Sequence, residues 1–194
     1  GVFLHRLLRL PTRPDWLVTL ALQLGLGLAL WPLLLLWTTQ IGWRWTPLTA
    51  QAAALALIAA GLAALLWAPG RWASRLAQAS RQAFTLTLFA CIAAITAVTR
   101  LLQVRELALP VWVDPVHHVA IVRLLLAEGA VPSTFAPFIP GGVFNYHWGY
   151  HALVAWLAWL LGALDAFAVA DMTLHFSQLL NVLTVVMFYA AARV

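Results

Sequence analysis

The sequence predicts an all-α, polytopic integral membrane protein with about five transmembrane helices and one amphipathic surface helix in a long outward loop. Three observations lead there. Of 194 residues, 64% are hydrophobic and only 9% charged, and the mean hydropathy is +0.91, whereas a soluble core of this size needs a charged shell. Apolar runs recur at lengths near the roughly 20 residues that cross a ~30 Å hydrocarbon layer. Aromatic residues bracket the first run, Trp16 and Trp37, where interfacial belts place them.

Taken in order, the first span runs from about Trp16 to Trp37, with Pro32 as a kink point. The second, about Pro47 to Trp67, is built of Ala and Leu, and small residues let helices approach closely in lipid. The third runs from about Gln82 to Leu102, the fourth from His147 to Leu161, and the fifth from Met172 to Ala192. Residues 1–102 thus hold three spans, 103–146 an outward loop with a juxtamembrane helix, and 147–194 two further spans. In that loop "PVHHVAIVRLLLAEG" can form a helix ended by Gly129, too short and too charged to span, and suited to the membrane surface. The Pro- and Gly-rich stretch "AVPSTFAPFIPGGVFNY" predicts a folded-back return. Neither end reads as a natural terminus: "GVFLHRLLRLPTRPDW" has no initiator Met or cleavable-signal layout, and "AARV" follows a hydrophobic run directly. The expectation is the N-terminal part of a longer protein.

All 11 basic residues are Arg, scattered at segment ends, so the net charge of +5 is not a nucleic-acid footprint. They set topology instead. Arg6, Arg9, Arg13, Arg71, Arg75 and Arg81 fall on one side, and Arg44, Arg100, Arg105, Arg123 and Arg193 on the other. The tight clusters of the first group favour a cytoplasmic N-terminus, with the long loop outward. The single Cys91 excludes a disulfide framework within the chain and reads as a buried free thiol. There is no GxSxG, P-loop, CxxCH or strand-borne GxGxxG, which excludes soluble-type hydrolases and nucleotide-binding enzymes from these residues.

Chemistry has three candidate places. In "WVDPVHH", Asp114 suits an N-cap with Pro115 at the first helical position. It also suits a general base or metal ligand, because His117 and His118 follow three and four residues later. A divalent cation, if one binds, would be held by Asp114 and His118. In "FNYHWGYHAL", Tyr146 with Tyr150 and His147 with His151 make i,i+4 pairs, a mixture that stacks on sugar and bonds hydroxyl or phosphate, or that forms an interface belt. In the fifth span Asp171, His175, Gln178 and Asn181 make a polar stripe, read as interhelical hydrogen bonding or as a proton path.

The stretch "VWVDPVHHVAIVRLLLAEGAVPSTFAPFIPGGVFNYHWGYHALVAWL", residues 111–157, resembles the first outward loop of polytopic glycosyltransferases of the GT-C superfamily. That group includes protein mannosyltransferases and aminoarabinose transferases. In it an acidic residue just after a span is followed by helices lying on the membrane and a Pro-, Gly- and aromatic-rich return into the next span. The resemblance implies a bacterial plasma-membrane enzyme of the cell envelope that moves a sugar from a polyprenyl-phosphate donor to an acceptor on the outer face. It implies Asp114 as the base, and His117, His118, Tyr146, His147, Tyr150 and His151 as substrate contacts. Its partners would be membrane lipid, the lipid-linked sugar and other membrane subunits, with no nucleic acid. Two other readings stay open: a non-catalytic transmembrane subunit whose His147, His151 or His175 ligates a haem or chlorophyll, and a transporter or flippase using the Asp171 stripe.

Overall fold

The computed structural model describes residues 1–10, 15–66, 83–107, 109 and 113–193, the side chains of residues 113–115 excepted. Among these are α1 (Val2–Leu7), α2 (Trp16–Gln40), α3 (Pro47–Leu66), α4 (Ala83–Val104), α5 (Val113–Glu128), α6 (Gly149–Leu161) and α7 (Ala166–Ala192). The only strand-like pairing among the described residues is an isolated bridge between Thr134 and Val143. α2, α3, α4 and α7 are long and apolar enough to cross a membrane, so this is a membrane-embedded helical protein. The expected fourth span is corrected: α6 has 13 residues, about 20 Å at 1.5 Å per residue, against a ~30 Å layer. Arg13, Trp67, Gln82 and the 68–81 stretch with its arginines lie outside the described residues.

The described chain divides into two units, and α2, α3 and α7 each contribute to both. The first takes Gly1–Gly27, Leu57–Glu106 and Ser177–Val194. Its best-tied point is Asp15, whose Oδ1 accepts the Leu17 N–H at 3.0 Å and so caps α2. The Oδ2 atom accepts the Tyr189 hydroxyl at 2.5 Å and the Arg193 Nε–H at 3.3 Å. Arg193 therefore stands at the start of α2, not on the opposite side as five spans would require. An even number of crossings returns the chain to the side it left. α4 is otherwise: of its 22 residues only Val104 is buried, and Leu88, Ile92, Ile95, Val98 and Leu101 are exposed. Cys91 is exposed with them, which corrects the buried thiol expected from its apolar surroundings. An apolar neighbourhood in sequence does not supply neighbours in space.

The second unit takes Leu28–Ala56 and Leu107–Phe176. α2 continues through Pro32 and ends at Gly42 with φ +76°. There Trp43 N–H donates to Thr38 O at 2.9 Å and Gly42 N–H to Thr39 O at 3.0 Å, the paired bonds of a Schellman end. α3 starts where the sequence predicts, because Pro47 follows a reciprocal cap. Thr49 N–H donates to Thr46 Oγ1 at 3.3 Å and Thr46 N–H to Thr49 Oγ1 at 2.9 Å.

α5 ends before Gly129, as expected, and the reason is tight. Gly129 has φ +62°, and a Cβ there would meet Trp45 O at 2.5 Å, while Trp45 N–H donates to Gly129 O at 2.7 Å. The 133–144 return folds back on itself, with Phe135 N–H on Gly142 O at 3.0 Å and Phe144 N–H on Ser133 O at 2.9 Å. α7 begins six residues earlier than predicted because Asp165 Oδ1 caps it through the Phe167 and Ala168 N–H groups at 3.1 and 3.0 Å.

The core of this unit is α6. His151, Ala152, Val154, Ala155, Trp156, Ala158 and Trp159 are all buried. Trp156 lies 4.5 Å from both Trp31, tilted at 46°, and Trp45, edge-on at 65°, and its Nε1–H donates to Trp31 O at 3.0 Å. α5 lays Ile121, Val122 and Leu125 into the same core, so its apolar face is taken by protein rather than left for lipid. The two helices run side by side in one direction. The α2–α3 turn meets the end of α5 through Arg44 and Glu128, at 3.4 Å. Gln51 Nε2 meets the end of α6 at Trp159 O and Leu160 O, at 3.3 and 3.2 Å.

Candidate functional site

His118 and His151 lie 33 residues apart, each ten residues before its helix ends, at Glu128 and Leu161. The shared direction of α5 and α6 therefore sets them level. His118 Nδ1 stands 2.8 Å from His151 Nε2, with ring centroids 4.9 Å apart. His151 is 0% exposed, and His118 is half-buried. Tyr146 stands edge-on to both imidazoles, at 6.4 and 5.7 Å. Tyr150 does the same at 5.8 and 5.4 Å. The Tyr150 hydroxyl donates to Thr173 O at 2.7 Å, and its ring lies 6.3 Å from Phe176, so α7 fixes this wall from behind.

His147 is exposed and lies flat on Tyr146, with centroids 4.2 Å apart at 22°. His117 is exposed on α5, as adjacent helical residues about 100° apart require when the neighbour faces inward. Asp114 lies in the first turn of α5, one residue inside its start at Val113 rather than in front of it, and one turn before His118. A proline in that turn is tolerated because those N–H groups have no intrahelical acceptor. The Asp114 side chain lies outside the described residues.

Four of the predicted contacts thus converge: His118, Tyr146, Tyr150 and His151. The i,i+4 logic behind two of them is corrected, since α6 starts at Gly149 and leaves Tyr146 and His147 in the preceding loop. His151 and Tyr150 form the back of the site, because one is fully buried and the other's hydroxyl is engaged. His147 is the exposed group of the cluster, and Tyr146 and His118 are half-buried.

Among the described residues no three His, Cys, Asp or Glu side chains gather to hold a metal ion. The imidazole pair itself is too close for one. Two nitrogens on one tetrahedral zinc, each about 2.0–2.1 Å from it, stand about 3.3 Å apart, against 2.8 Å here. A proton fits that gap. His151 likewise offers no room for a macrocycle, enclosed as it is by His118, Tyr146 and Tyr150. On α7, His175 Nδ1 pairs with Asp171 Oδ1 at 3.1 Å, with side chains 43% and 60% exposed. Gln178 Nε2 donates to Ser177 Oγ at 2.9 Å.

Compared with known proteins, the chain matches no family model, no curated protein and no solved structure.

Proposed function

We propose that this chain carries the sugar-transfer site of a bacterial plasma-membrane glycosyltransferase. It moves a sugar from a polyprenyl-phosphate donor to a hydroxyl acceptor on the outer face, its N-terminus lying in the cytoplasm. The observation that supports it is the convergence of His118, Tyr146, Tyr150 and His151 from two helices and a loop. All four lie inside residues 111–157, the stretch that resembles the GT-C loop. The Tyr146 ring with His147 on it suits stacking against a sugar face, and imidazole donors suit hydroxyl or phosphate oxygens. Asp114 is the base in this reading.

Moving Arg193 to the N-terminal side supports the orientation, since seven arginines then face the cytoplasm and four face out. Other membrane subunits and lipid would cover the exposed apolar helices.

The native full-length protein that contains this chain, in lipid nanodiscs and given polyprenyl-phosphate sugars and hydroxyl acceptors, should transfer sugar, whereas residues 1–194 alone should not. Asp114→Asn should abolish transfer and Asp171→Asn leave it. The reverse ordering, in a flux assay, would favour the transporter reading, for which the exposed Asp171–His175 pair speaks. A visible haem or chlorophyll band lost in His175→Ala would replace both with a pigment-binding subunit.

A further inference from the structure

We propose that the loop between α5 and α6 dips its tip, residues 136–143, into the bilayer, in the layer between headgroups and acyl chains at the face where α2 ends. The side chains are the first reason. Residues 135–144 read FAPFIPGGVF, ten in a row without a hydrogen-bonding side chain, and no Asp, Glu, Lys or Arg stands between Glu128 and Asp165. Yet Phe138, Ile139 and Val143 are 47, 53 and 73% exposed. Such a tip gains by leaving water. It suits a specific protein partner poorly, because protein interfaces carry about one hydrogen bond per 100–200 Å² and this stretch could supply them only from its backbone.

The backbone groups are mostly engaged within the loop. Residues 135–142 hold six N–H groups, since Pro137 and Pro140 have none. Four of them donate inside the loop: Phe135 to Gly142 O, Phe138 and Ile139 to Phe135 O, and Gly142 to Ile139 O, at 2.9–3.4 Å. Internal pairing of this kind is what lipid requires of a backbone. The other two, on Ala136 and Gly141, suit the ester carbonyls and water of the headgroup boundary better than the hydrocarbon centre, which holds no partner for them. That sets the depth.

The base of the loop sets its place. Val131 N–H donates to Thr39 Oγ1 at 2.9 Å, one residue before α2 ends at Gln40, so the loop leaves the protein where a span ends. Phe135 and Phe144 lie with ring centroids 4.8 Å apart and pack on the core that holds Trp156, while 136–141 and Val143 stay outside. Polar side chains resume on both sides of the tip, at Ser133 and Thr134 before it and at Asn145 and His147 after it. The membrane contact that the sequence predicts for α5 thus passes to the loop behind it, because Ile121, Val122 and Leu125 of α5 are already taken by the core. Tyr146 and His147 follow directly, so a tip held in lipid keeps that edge of the aromatic cluster at headgroup height. The lipid contact itself does not rest on the transferase reading.

The test uses a phosphatidylcholine analogue with a carbene precursor on an acyl carbon next to the glycerol. It is photolysed with the unaltered full-length protein in phosphatidylcholine and phosphatidylglycerol nanodiscs, and labelled peptides are read by mass spectrometry. Adducts should fall within 136–143. In a second measurement, Ile139→Cys in cysteine-free protein carries a spin label, whose collisions with oxygen should exceed those with an aqueous nickel chelate. Absence of adducts from 136–143 in the unaltered protein overturns the proposal, whether or not the variant folds. Dominant nickel collisions overturn it in favour of water, and rare collisions of both kinds in favour of a protein cover. Neither readout involves sugar transfer, so a positive result stands even if no transfer is found.

Discussion

α4 and α6 are both apolar helices, and they use their apolar residues in opposite ways. α4, with 22 residues, buries only Val104, whereas α6, with 13, buries seven. At 1.5 Å per residue the first reaches about 33 Å and the second about 20 Å, so only the first can match a hydrocarbon layer. The short helix must be enclosed by protein instead, because its ends would otherwise leave backbone groups in lipid without partners. Enclosure is what allows a fully buried imidazole to be held against a second one. The candidate chemistry thus sits on the helix that cannot span.

Substitutions should separate the two helices sharply. Trp156→Ala removes two aromatic ring contacts and the bond to Trp31 O and leaves a cavity. Trp156 is 1% exposed, so its truncation should cost about 3–5 kcal/mol in unfolding titrations in mixed micelles. Ile95→Ala on α4, at a side chain 65% exposed, should stay within about 0.5 kcal/mol. Equal costs at the two sites would break the comparison. Gly129→Ala comes next, at about 1–3 kcal/mol for a non-glycine residue held at positive φ. The new Cβ would also press on Trp45 O at 2.5 Å. Loss of the α5 end should loosen His118 as well, read as a drop in hydrogen-exchange protection along α5 but not along α4.

The fold class and most helix boundaries could be read from the sequence, because caps are local. Thr46 before Pro47 marks the start of α3, and Gly129 marks the end of α5. Asp165 is the same kind of signal for α7, but it stands seven residues ahead of Met172, where the unbroken hydropathy of that span begins. The length of the 147–161 segment was already too small for a span. Its apolar composition hid that, since lipid and a protein core ask for the same residues. Tyr146 and His118 could be picked out as candidates by residue type. Their meeting could not, because nothing in the spacing of His118 and His151 reports that α5 and α6 run in one direction. The side of Arg193 was lost for a related reason: one miscounted span inverts everything after it.

The smallest expected effect tests what covers α4. Cys91 is exposed on that helix, among Leu88, Ile92 and Ile95, so Cys91→Ser should change stability by less than about 0.5 kcal/mol. If lipid covers this face, a lipid-soluble carbene photolabel should mark the α4 segment around Cys91 in intact membranes, and Cys91→Ser should leave that labelling unchanged, since the label needs no thiolate. A segment that the photolabel reaches only after the membrane is dissolved would mean that protein covers α4 there. In that event its exposed row would be an interface like the one α6 already makes, and the contrast between the two helices would be one of partner rather than of solvent.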